Sequence, residues 1–134
     1  MGEKYDALVA RLKDIHNINM AASLLSWDQM TQMPPGGAEA RAGQIATLSK
    51  LSHEMFSADE TGKLLEQAKA GLNGADYASD SASMVRVVQQ DYENSIKIPS
   101  EWVAEFTQLT SLGNEIWAKA RAEKDFAQFQ PTLE

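Results

Sequence analysis

At 134 residues, with 12 Lys and Arg against 19 Asp and Glu, the sequence has the length of one domain and a formal charge of −7. That charge repels phosphate backbones and anionic lipid heads, which argues against nucleic acid and bare membrane as partners. Cysteine is absent and no apolar run approaches the ~20 residues of a bilayer span, so disulfides, thiolate chemistry and a membrane-spanning helix are excluded.

The predicted elements are all helical, about five of them in an antiparallel bundle, because Ala, Leu, Glu, Gln, Lys and Arg fill the long stretches. The one Asn-Gly pair, Asn73-Gly74, lacks the strand-like flanks of a hairpin. The first helix is read from about Glu3 to about Trp27, on Leu8, Leu12, Ile15, Ile18, Ala22 and Leu25. Its early charges, Glu3, Lys4, Asp6, Arg11, Lys13 and Asp14, do not read as a signal peptide, so a soluble, cytoplasmic chain is expected. A break follows at Met33-Pro34-Pro35-Gly36-Gly37. The second helix covers roughly Ala38 to Met55, with Ile45, Leu48, Leu51 and Met55 as its apolar stripe. Ser57-Ala58-Asp59-Glu60 has the form of a capping box and opens a short third helix, with Leu64, Leu65 and Ala68 inward and Gly71 near its end. Residues 72–83 read as a loop running into a fourth helix, from about Ser81 to Ile96. Lys97-Ile98-Pro99-Ser100 is a tight connection, and the fifth helix runs from about Ser100 to Lys124. Asp59/Lys63, Glu93/Lys97 and Glu115/Lys119 are acid-then-base pairs on solvated faces. The segment Pro131-Thr132-Leu133-Glu134 has the form of a helix start, which suggests that the polypeptide continues; a frayed tail is the plainer alternative.

The side chains present carry no recognisable active site. A zinc hydrolase needs about three protein ligands, whereas His16 and His53 are the two histidines and fall on different predicted helices. His53-Glu54 begins like His-Glu-x-x-His, but Ser57 stands where the second ligand belongs, so both histidines read as helix-surface residues. The carboxylate pairs Glu101/Glu105 and Asp76/Asp80 have no neighbouring histidine, and neither a nucleophile elbow nor a phosphate loop is present. Trp27, Trp102 and Trp117 at helical spacings read as core, the alternative being that some face a partner.

The run Trp27-Asp28-Gln29-Met30-Thr31-Gln32-Met33-Pro34-Pro35-Gly36-Gly37, with Leu25 before it and Arg41 after, resembles the N-terminal signature of the carboxypeptidase Taq family. Gln44-Ile45-Ala46-Thr47-Leu48-Ser49, His53-Glu54, Asp91-Tyr92-Glu93, Lys97-Ile98-Pro99, Trp117-Ala118-Lys119-Ala120-Arg121 and the stretch from Asp125 to Glu134 continue the likeness in order. The resemblance implies the N-terminal, non-catalytic helical part of a homodimeric zinc metallocarboxypeptidase that trims peptide C-termini with broad preference. It also implies that the His-Glu-x-x-His helix, the later Glu ligand and the metal lie beyond residue 134, so no zinc is expected on this segment. The partners implied are the remainder of the enzyme chain and, in the whole enzyme, a peptide substrate. Trp27, Asp28, Gln29, Met33 and Pro34 are the expected groove or interdomain contacts. A self-associating helical module without enzymatic activity is the alternative; in either case an open apolar face favours a symmetric dimer.

Overall fold

The long apolar stripe of the first helix turns inward as its spacing requires, with Leu8 and Ile15 buried. The computed structural model describes residues 2–134, and among these all regular structure is helical. The first helix, α1 (Glu3–Thr31), runs one turn past its predicted end. The backbone ladder continues to a Gln32 N–H donating to the Asp28 carbonyl at 2.9 Å. Trp27, Asp28, Gln29 and Met30 are therefore helical and not part of the break. The turn then closes on Gly37, where a Cβ would stand 2.9 Å from Met33 Cγ and 3.2 Å from the Pro34 carbonyl oxygen.

Helix α2 (Ala38–Ser57) is followed after one residue by α3 (Asp59–Gly71). The capping box does not form. Ser57 closes α2 and its hydroxyl donates to the His53 carbonyl at 2.8 Å, leaving Ala58 at the cap. Glu60 is drawn away by Arg11, which pairs with it at 2.7 Å. The same guanidinium donates to Thr61 Oγ1 at 2.9 Å and to the Met55 carbonyl at 3.0 Å, so one arginine ties α1 to the α2–α3 corner. Helix α4 (Asp80–Ser95) begins one residue before the predicted start, because the Ser79 hydroxyl accepts from the Ala82 N–H. Helix α5 (Ser100–Glu123) stops at Lys124, whose φ of 57° is left-handed. A 3-10 turn (Phe126–Gln128) and the short α6 (Gln130–Leu133) complete the chain.

At one end, Leu8, Leu65, Ala68 and Val85 from α1, α3 and α4 make a closed core, jacketed by Tyr5, Leu12, Met84, Val88 and Tyr92. Gly62 lets the Tyr92 ring lie against α3; a Cβ there would fall 2.5 Å from the phenol oxygen. At the other end α2 packs between α1 and α5 through Ala42, Ile45 and Ala46, opposite a helix that buries Gly113 and Ala120. Small residues bring the backbones close, and the large side chains of α5 point elsewhere. Trp27, Trp102 and Trp117 are 54%, 51% and 42% exposed, which corrects the core reading for all three. The acid-then-base pairs also stay open. Glu93 accepts from Gln89 instead, and the ion pairs among the described residues are Arg11–Glu60, Arg41–Asp28, Lys50–Glu54 and Lys50–Glu101. Exposed pairs gain too little in high dielectric to hold their geometry. Among the described residues no helix is long and apolar enough to cross a membrane.

Candidate functional site

The five residues singled out at the end of α1 divide between scaffold and surface. Asp28 is taken up by Arg41 of α2, whose guanidinium also donates to the Leu25 carbonyl at 2.9 Å and to Gln44 at 3.1 Å. The elbow between α1 and α2 is thus locked from inside by a charge-assisted pair. Gln29 faces α5: its amide nitrogen donates to the Ser111 carbonyl at 3.1 Å, and its amide oxygen accepts from the Ser111 hydroxyl at 2.9 Å. Met33 folds over Gly37, while Trp27 and Pro34 face solvent.

Beside the Gln29 clasp, α1, α2 and α5 leave an open cleft of about 290 Å³ bounded by Met30, Ile45, Thr107 and Asn114. A neighbouring hollow of about 460 Å³ is bounded by Met30, Pro35, Asn114 and Glu115. Gln29 and Met30 therefore stand at a groove wall; Asp28, Met33 and Trp27 do not line it.

The outer surface of this end is apolar. Trp102 and Phe106 stack with ring centres 4.9 Å apart and planes 8° from parallel. Trp117 meets Phe129 at 5.2 Å, and Phe126 meets Phe129 at 6.3 Å. Gly113 admits the tail against α5, since a Cβ there would stand 3.1 Å from Thr132 Cγ2. Between them runs a groove of about 610 Å³ lined by Phe106, Leu109, Trp117, Phe129 and Leu133. Met20, Leu24 and Trp27 add an exposed stripe on the side of α1 turned away from the core.

Nothing here converges for hydrolysis. Among the described residues no three His, Cys, Asp or Glu side chains gather to hold a metal ion. His16 is exposed on α1. His53 is half-buried and spans to the connection before α5, its Nε2 lying 2.7 Å from the Ile98 carbonyl oxygen, and Glu54 meets Lys50 at 3.8 Å. The donor set does not fit a zinc site, which takes three or four closely placed ligands. Asp76 caps its own turn through the Ala78 N–H at 3.1 Å. Glu101 is held below the usual glutamate range, first by its own backbone N–H at the start of α5 and then by Lys50. The Arg41 lock and the Gln29–Ser111 clasp were not foreseen. Opposite charges on either side of a Pro-Gly elbow were the available signal for the first; no local pattern announces the second.

Residues 7–134 match the carboxypeptidase Taq (M32) metallopeptidase family. The thermostable carboxypeptidase 1 of Pyrococcus furiosus is 33% identical over 132 residues, which are 98% of this chain and 26% of the relative. That of Thermus thermophilus is 32% identical, covering 96% of this chain and 25% of its own length. Carboxypeptidase 1 of Bacillus subtilis is 30% identical over 92% of this chain. The chain thus spans about a quarter of the length of the curated relatives it matches. Among solved structures, one described as "BsuCP Crystal Structure" superposes with a TM-score of 0.92 at 27% identity, over 99% of this chain and 26% of that one. The Pyrococcus furiosus carboxypeptidase structure superposes with a TM-score of 0.71 at 31% identity, over 99% of this chain and 26% of its own.

Proposed function

The chain belongs to the carboxypeptidase Taq (M32) metallopeptidase family, and from that premise we propose that it is the N-terminal, non-catalytic part of a zinc-dependent carboxypeptidase. The whole enzyme, in this reading, removes residues from peptide C-termini with broad preference, in the cytoplasm and as a homodimer. The observation that carries the reading is the open apolar face of α5 and the tail, in a chain about a quarter as long as its relatives. A surface bearing Trp102, Phe106, Leu109 and Trp117 in water is what a helix pair shows when the body that covers it is elsewhere in the polypeptide.

Its contribution is architectural. The Arg41–Asp28 lock and the Gln29–Ser111 clasp hold the end of α1 at a fixed angle to α2 and α5. That rigid corner presents Met30, Trp27 and Pro34 towards the remainder of the enzyme, where a groove wall would limit entry to a free peptide end. Zinc, or another divalent metal, belongs to that remainder; since the donors here do not fit one, no hydrolytic step is assigned to these residues.

The test is a chimaera in which this chain replaces the matching first quarter of the Bacillus subtilis carboxypeptidase 1. With zinc or cobalt added, the folded chimaera is expected to cleave a blocked dipeptide and the 134-residue chain alone to leave it intact. Cleavage by the chain alone, or a folded but inert chimaera, would overturn the reading. Sedimentation velocity of the chimaera checks the dimer, which a clean monomer at high concentration would contradict.

A further inference from the structure

A further hollow, of about 460 Å³, lies where α1, α2, α4 and α5 come together, sharing Thr107 with the cleft beside Gln29. Its polar wall is Asn19, Ser49, Ser52, His53, Asp91 and Thr107. Ser52 is 6% exposed, yet its hydroxyl makes no hydrogen bond within the protein and is not among the buried polar atoms cut off from solvent. The hydroxyls of Ser49 and Thr107 are likewise without a protein partner. Elsewhere on the same helices Ser26, Thr47, Ser57 and Thr110 each return theirs to a carbonyl one turn back. Three hydroxyls without a protein partner thus line one hollow, and Ser52 carries one of them although its residue is nine-tenths buried.

The charge pattern narrows what that is. Asp91, exposed at the rim, takes neither an ion pair nor a hydrogen bond among the described residues. His53 Nε2 lies 2.7 Å from the Ile98 carbonyl oxygen, which only accepts, so that nitrogen carries a proton. No Lys or Arg lines the hollow, and its other walls include Ile15, Phe56 and Val103. A carboxylate and hydroxyls beside an apolar floor are complementary to a donor-rich cation on a short aliphatic stem.

We propose that this hollow binds a primary alkylammonium group, with the ammonium on Asp91 and the hydroxyls of Ser49 and Ser52, and the stem over Ile15, Phe56 and Val103. A free amine and a lysine side chain share that chemistry. The site lies outside the α1 elbow and the exposed α5 face, although Ser49, His53 and Asp91 stand in runs that carry the family likeness.

The experiment is an amide NMR titration of the 134-residue chain with n-butylammonium, n-butanol and butyrate. Saturable shifts at Asn19, Ser52 and Asp91 are expected with the amine, with the alcohol weaker and the carboxylate weakest. Asp91→Asn is expected to weaken the amine at least about tenfold, as loss of a charge-assisted hydrogen bond does, and Asp91→Glu to restore part of it. Asp91 is exposed at the rim, so neither variant threatens the fold. Nα-acetyl-lysine amide distinguishes the sources: binding as tight as butylammonium assigns the site to a lysine of another polypeptide, and much weaker binding assigns it to a free amine. Unmoved amides, butanol as tight as the amine, or an Asp91→Asn variant that binds equally well would each overturn the proposal.

Discussion

The two ends of the bundle are made from one continuous first helix, and they treat it differently. Near its start α1 is two-sided: Leu8 is buried against Leu65, Ala68 and Val85, while Lys4, Lys13 and Asp14 face water. Between Ile15 and Trp27 it carries no Asp, Glu, Lys or Arg, and Met20, Leu24 and Trp27 point away from the core that Ile15 joins. Exposed apolar side chains therefore flank the buried stripe along this stretch, interspersed with His16, Asn17, Asn19 and Ser23. Helix α5 repeats the pattern, with Gly113 and Ala120 inward and Trp102, Phe106 and Trp117 outward. One end is a closed core and the other leaves a broad apolar face exposed.

Substitutions should separate the two ends sharply. Leu65→Ala empties a fully buried site and is expected to cost about 2–5 kcal/mol in urea unfolding. Leu24→Ala on the open stripe should stay within about 0.5 kcal/mol; equal losses would erase the distinction. Gly62→Ala drives a methyl to within 2.5 Å of the Tyr92 phenol and should cost about 1–3 kcal/mol, partly recovered by adding Tyr92→Phe. Arg41→Ala leaves the Leu25 carbonyl and Asp28 without their partner. It should lower stability by about 1–3 kcal/mol and quicken proteolysis between Gln32 and Gly37 while leaving the closed end protected.

The smallest effect is expected at Glu101, whose carboxylate is ionised to lower pH by its own backbone N–H and by Lys50. A folded-state pKa below the unfolded one gives stability that is present above the ordinary glutamate range and is lost as pH falls through the lowered value. Glu101→Gln should therefore be slightly less stable than the parent at neutral pH and match it in acid, with added salt narrowing the gap. A gap that widens in acid would contradict the assignment.

The helices were legible because good helix formers fill their lengths and their breaks are marked by Pro34-Pro35, Gly36-Gly37 and Pro99. What escaped the sequence was tertiary competition. Nothing local says that Arg11 will take Glu60 from its capping box, or that the backbone ladder will carry α1 through Trp27-Asp28-Gln29. The tryptophans mislead for a different reason: helical spacing places them on one face but does not say which of two faces meets the core. Gln29 lines the cleft beside α5, and its bond to Ser111 could not be read locally, since 82 residues separate them.

All three tryptophans are exposed and none lies in the closed core, so their fluorescence reports surface outside that core. Acrylamide quenching, compared between the isolated chain and the Bacillus chimaera with the chimaera's other tryptophans replaced by phenylalanine, is the most direct measurement. Strong quenching in the isolated chain, falling several-fold in the chimaera, is the outcome this account requires. Equal quenching in both would mean that nothing covers Trp27, Trp102 and Trp117, and that the open face is not an interface.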